Sequence, residues 1–74
     1  MIKTIKSILS EITEKEWDIS EDTQISDSWG SLVQMELVIA LEQTYNTKFS
    51  INQITSMKTV RDIMEAVREN TQNR

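Results

Sequence analysis

Few side chains in these 74 residues could do chemistry, and their types narrow the possibilities quickly. Ser31, in the run G-S-L, offers a hydroxyl directly after the only glycine, Gly30. A serine nucleophile needs a base to take its proton, but the chain has no histidine and G-S-L lacks the second glycine of G-x-S-x-G. Without cysteine there is no thiolate nucleophile, no thiolate metal site and no disulfide framework. Glu36 and Glu42 are six residues apart on neighbouring parts of one helix face. A catalytic carboxylate pair needs a cleft that perturbs its pKa values, and a chain this short has little room for one. A calcium loop opening at Asp18 would place Ser20 and Asp22 well. It would also put Thr23 where the turn glycine belongs and Trp29 where the bidentate glutamate belongs. No catalytic constellation survives these tests.

The element that must position Ser31 runs from Asp27 to Glu42, D-S-W-G-S-L-V-Q-M-E-L-V-I-A-L-E. Glycine is acceptable as an N-cap and costly inside a helix, so Gly30 and Ser31 mark the change from irregular chain to helix. The predicted helix covers roughly residues 31–45 and carries two apolar stripes. Leu37, Val38, Leu41 and Tyr45 form one, suited to a core; Leu32, Met35 and Ile39, bordered by Glu36 and Glu42, form the other. Met35 and Ile39 have two possible places: a docking surface, or core packing beneath the segment from Glu16 to Gly30.

Around this helix the chain reads as one small domain over residues 1–74, near the lower limit for a self-sufficient core. Ile2, Ile5, Ile8, Leu9 and Ile12 recur at helical spacing and predict a first helix over roughly 2–15, with Lys3, Lys6, Glu11 and Glu14 on its wet side. Glu16 to Gly30 shows no sustained period. A connection that long in a small domain implies function or internal anchoring, with Ile19, Ile25 and Trp29 as the anchors. Asn46 suits the left-handed position after a helix. Ser50 and Gln53 form an S-x-x-Q capping box, opening a short third helix of roughly 51–55. Thr59 and Asp62 give a weaker start signal. Val60, Ile63, Met64 and Val67 then predict a fourth helix over roughly 60–69, followed by a polar, frayed tail from Asn70 to Arg74. The first core stripe should pack on Ile5, Ile8, Ile12, Phe49, Ile63 and Val67.

The net charge of −4 hides an asymmetry. Between Glu16 and Thr47 stand seven acidic residues and no Lys or Arg, and the remaining positions hold five acidic and eight basic ones, so −7 and +3 give the total. A one-signed field of this kind steers partners of opposite sign and disfavours nucleic acid, which excludes a helix-turn-helix reading. No apolar run is long enough to span a bilayer and no signal-peptide pattern is present, so the expectation is a cytoplasmic monomer that binds neither membrane nor nucleic acid.

The run G-S-L-V-Q-M-E-L-V-I-A-L-E resembles the region around the modified serine of acyl carrier and peptidyl carrier proteins, whose usual pattern is D-S-L followed by x-x-[VM]-E-L-[VI]-x-A-L-E. Ser31 stands five residues before Glu36, as the family serine stands before its helix glutamate. Trp29 resembles the tryptophan of carriers reading W-D-S-L, and I-S-E-D-T-Q-I resembles the family's first loop, I-x-x-D-T-x-[LI]. The likeness covers nearly the whole chain, with one departure: Gly30 replaces the aspartate before the serine.

The resemblance implies an all-α fold, a small four-helix bundle of the acyl-carrier type with a long first loop and a short third helix. It implies a non-catalytic carrier, with a 4′-phosphopantetheine arm from coenzyme A on Ser31 holding acyl or aminoacyl groups as thioesters. The implied partners are a phosphopantetheinyl transferase, an acyl- or aminoacyl-loading ligase and downstream biosynthetic enzymes with basic docking surfaces. Leu32, Met35, Glu36, Ile39 and Glu42 correspond to the partner-recognition face, and Asp27 can stand in part for the missing aspartate. Ser28, in D-S-W, is three residues out of register with the helix glutamate. Because glycine cannot make the aspartate's contacts with the transferase, modification should be slower than for a D-S-L carrier. The alternative is a docking module of the same fold that has lost its arm.

Overall fold

A computed structural model describes residues 1–72. Among them lie four helices: α1, Ile2–Thr13; α2, Gly30–Thr44; α3, Ile51–Ser56; and α4, Val60–Gln72. The only pairing of extended chain in this range is an isolated antiparallel bridge between Gln24 and Thr59.

Each helix boundary has a local cause. α1 stops two residues short of the predicted end because Glu14 takes a left-handed conformation, φ 58°, with its N–H returning to the Ser10 carbonyl. The hydroxyl of Thr13 donates to the Leu9 carbonyl at 2.7 Å and accepts the Trp17 indole N–H at 2.8 Å, which draws the departing chain back along the helix. α2 ends as expected at Asn46, φ 52°, and the Thr47 N–H bonds the Glu42 carbonyl at 2.9 Å, the longer of the two bonds of a Schellman closure. The capping box opening α3 is present in both directions, between Ser50 and Gln53. α4 starts on a similar exchange: the Thr59 hydroxyl accepts the Asp62 N–H, while the Asp62 carboxylate accepts the N–H groups of Lys58 and Thr59.

The frayed tail requires correction. Helix α4 continues through Gln72, because the Asn70 side chain donates to the Lys48 carbonyl at 2.8 Å and pairs with the Gln53 side chain. Thr71 caps within the helix on the Val67 carbonyl. The part of that expectation concerning residues 73–74 lies outside the described range.

One apolar cluster joins the helices. Ile5, Leu9, Leu37, Leu41, Val60 and Ile63 are fully buried, with Val38, Phe49 and Val67 beside them, and Ile8, Ile12 and Tyr45 pack on its edge. The core stripe of α2 therefore meets the residues expected for it, and α1 packs along α2. Ile19, Ile25 and Trp29 are buried in the same cluster, so the long first connection is held from inside. At roughly 1.5–3 kcal/mol per fully buried large apolar side chain, three anchors outweigh any single surface contact of this segment. Backbone bonds tie it to the start of α4 as well: Ile25 N–H to the Lys58 carbonyl, Val60 N–H to Thr23, and Arg61 N–H to Glu21. The Arg61 guanidinium meets Asp22 at 2.9 Å and Glu21 at 3.5 Å, and the hydrogen bond and charge of Asp22 raise its pKa above the ordinary value.

Candidate functional site

The segment ahead of α2 is wound into a turn on one acceptor. The Ile25 carbonyl receives the N–H groups of Ser28, Trp29 and Gly30, at 3.0, 3.2 and 3.4 Å. Burial of Ile25 and Trp29 fixes both ends of that turn. Gly30 then opens the helix with φ +76°, a conformation that costs an L residue about 1–2 kcal/mol and glycine almost nothing. Space is not the reason for glycine here, since a Cβ at this position would meet nothing within 4 Å. The backbone angle is.

Ser31 follows, exposed, on the first turn of α2. No side chain caps this helix; the Gly30 N–H is taken by the Ile25 carbonyl, and the N–H groups that follow it in the first turn, from Ser31 on, remain at the positive end of the helix dipole. Ser28 is placed differently: half-buried, it donates its hydroxyl to the Gln24 carbonyl at 2.8 Å. Beside Ser31 runs a groove of about 510 Å³, bounded by Ile25, Gly30 and Gln34 on one side and by Met57 and Lys58, after α3, on the other. An exposed hydroxyl, uncapped N–H donors and an adjoining groove together fit a phosphate-linked arm at this position.

The structure also distinguishes the two stripes of α2. Leu32, Met35 and Ile39 are 76, 45 and 50 % exposed, which removes the alternative of core packing for Met35 and Ile39. Glu36 lies exposed among them, and Asp27 is exposed on the turn before the helix. Glu42 is tied into the fold, because its carboxylate accepts the Phe49 N–H at 2.9 Å and holds the chain between α2 and α3. Of the seven acidic residues around the site, Glu21 and Asp22 are paired with Arg61.

Gln34 is a site residue that the sequence reading did not single out. It is 7 % exposed, accepts the Trp29 indole N–H on Oε1 at 2.9 Å, and directs Nε2 to the Met57 sulfur at 3.4 Å. Its position, three before Leu37 and four before Val38, puts it on the core stripe. Its polarity conceals that placement in a hydropathy pattern.

Comparison with known proteins shows the family and the fold. The family model described as "Phosphopantetheine attachment site" matches residues 3–67, and the chain belongs to that family of non-catalytic carriers, whose cofactor is covalently held 4′-phosphopantetheine. The solution NMR structure of holo acyl carrier protein from Geobacter metallireducens superposes with a TM-score of 0.81 at 23 % identity, covering 97 % of this chain and 86 % of that one. At that identity the likeness carries the fold. No curated protein matched the chain.

Proposed function

We propose that the protein carries acyl or aminoacyl intermediates on a 4′-phosphopantetheine arm attached to Ser31 and presents them to partner enzymes. The observation that supports this most is the placement of Ser31: exposed, on an uncapped helix start, at the edge of a groove. In the attachment step the Ser31 oxygen forms a phosphodiester with the pantetheine-bearing phosphorus of coenzyme A. The bond to the adenosine bisphosphate breaks, and the serine proton passes to a base of the transferase. Bound there, the arm supplies a thiol on which cargo rides as a thioester. The chain's own contribution is electrostatic and steric: first-turn N–H groups favour the phosphodiester anion by about 0.3–1 kcal/mol, and the rigid helix start fixes where the arm begins.

Leu32, Met35, Ile39 and Glu36 supply the docking face for the transferase, the loading ligase and downstream enzymes. Apolar area is ringed there by negative charge that meets Arg or Lys on the partner. Asp27 borders this face, and Glu42 contributes charge while keeping its structural bond to Phe49. The carrier acts as a monomer in the cytoplasm; among the described residues no helix is long and apolar enough to cross a membrane.

A second reading, a docking module without an arm, is favoured by one observation: Gly30 stands where an acidic contact for the transferase would be. Incubation with coenzyme A, Mg²⁺ and a broad-specificity transferase, followed by intact-mass measurement, separates the two. A gain of one phosphopantetheine supports the carrier, and an unchanged mass supports the docking module.

A further inference from the structure

The groove beside Ser31 is lined mainly by apolar surface, yet it contains Gln34, the buried polar side chain of the described residues. The carboxamide oxygen of Gln34 is committed to the Trp29 indole at 2.9 Å. Its NH₂ group has two hydrogens, and the acceptor it meets is the Met57 thioether at 3.4 Å. Thioether sulfur is a weak acceptor, so a buried amide donor answered by sulfur is poorly satisfied. A carbonyl oxygen entering the groove would satisfy it. An alkyl chain would cover the same N–H groups and offer no acceptor at all, which is unfavourable for a buried polar group.

Burial further along α2 acts in the same direction. Gln34 and Met57 line the groove and also adjoin the core, where Leu37, Leu41, Val60 and Ile63 are fully buried. In the hydrogen-bonded series Trp29–Gln34–Met57, Gln34 and Met57 line the groove, while Trp29 and Met57 belong to the apolar core. We propose that Gln34 is a specificity-determining residue of this groove: its side-chain N–H receives a carbonyl oxygen of an amide-bearing arm segment or short polar acyl group, and long saturated alkyl chains are refused. The proposal rests on Ser31 being the attachment point.

The absence of cysteine allows a test that does not depend on a transferase. In Ser31→Cys the single thiol is labelled with a methanethiosulfonate carrying either an eight-atom alkyl chain or a chain of equal length containing an amide. The thiolate attacks the reagent's sulfenyl sulfur, a disulfide forms, and methanesulfinate leaves. A methyl label is the control. The amide label is expected to raise the thermal unfolding midpoint above the control and to shift the Gln34 side-chain NH₂ resonances. The alkyl label should leave both at control values, and in Gln34→Leu the preference should invert. The proposal is overturned if the alkyl label stabilises Ser31→Cys as much as the amide label, or if the Gln34 resonances ignore the amide. That comparison decides the matter even where Gln34→Leu does not fold. Failure of the Ser31 reading is seen separately, as an unmodified wild-type chain in the transferase assay.

Discussion

The indole N–H of Trp29 donates a 2.9 Å hydrogen bond to the side-chain oxygen of Gln34, five residues along the chain, and both residues are buried. Trp29 ends the turn before α2 and Gln34 lies one helical turn into it, so this bond fixes the entry of the chain into the helix that bears Ser31. The Trp17 ring stands edge-on to Trp29 at 5.7 Å between centroids. Trp29→Phe keeps an aromatic ring but orphans the buried Gln34 oxygen, which costs about 1–3 kcal/mol before any loss of packing is counted. Denaturant unfolding checks this. A variant as stable as the wild type would show that the bond does not hold the helix start.

The two stripes of α2 predict opposite responses to substitution. Leu37 is fully buried, and Leu37→Ala should cost about 2–5 kcal/mol. Glu36 is exposed in the helix interior, where Glu and Lys have similar helix propensity, so Glu36→Lys should change stability by less than about 0.5 kcal/mol. Binding of Glu36→Lys to a basic partner should nevertheless weaken through a slower on-rate. The wild-type on-rate should itself fall as salt rises, since screening acts beyond roughly 8–10 Å near physiological ionic strength. Thermal unfolding and binding kinetics with the transferase read both effects. Unfolding by Glu36→Lys beside a stable Leu37→Ala would reverse the assignment.

Glu42 should behave unlike Glu36, although both are carboxylates on one helix. Its bond to the Phe49 N–H is lost in Glu42→Lys, and a hydrogen bond to a charged group contributes about 1.5–3 kcal/mol. Partial exposure of Glu42 puts the expected loss toward the low end. Equal stability of the Glu36→Lys and Glu42→Lys proteins by calorimetry would show that the Glu42 bond contributes nothing.

The helices were legible because their signals are local. The Ser50–Gln53 box, Asn46 and the apolar stripes each specify structure within a few residues. What escaped depends on distant partners. Asn70 reads as tail until Lys48 and Gln53 are beside it, Glu42 as a surface charge until the chain returns with Phe49, and Gln34 gives no signal until Trp29 and Met57 are beside it. Gly30 escaped differently. Sequence suggests a handicap in binding the transferase, whereas the structure adds a backbone reason for glycine at φ +76°.

That angle changes the expected outcome of restoring the acidic residue. Gly30→Asp should lose about 1 kcal/mol of stability, and Gly30→Ala somewhat more, because Asp tolerates the left-handed region better than Ala. Measured well below the unfolding midpoint, the rate of modification of Gly30→Asp should still exceed that of the wild type. Unchanged stability of Gly30→Ala would mean that the turn relaxes away from positive φ. A rate no faster in Gly30→Asp would mean that the missing acid is not what limits modification.

The most direct test of the carrier reading is the intact mass of three chains after incubation with coenzyme A, Mg²⁺ and a broad-specificity phosphopantetheinyl transferase. Exposed Ser31 on α2 should accept the arm, while Ser28, whose hydroxyl is engaged with the Gln24 carbonyl, should not. The predicted result is a gain of one phosphopantetheine for the wild type and for Ser28→Ala, and none for Ser31→Ala. A gain that persists in Ser31→Ala and disappears in Ser28→Ala, or a wild-type chain whose mass does not change, would contradict it.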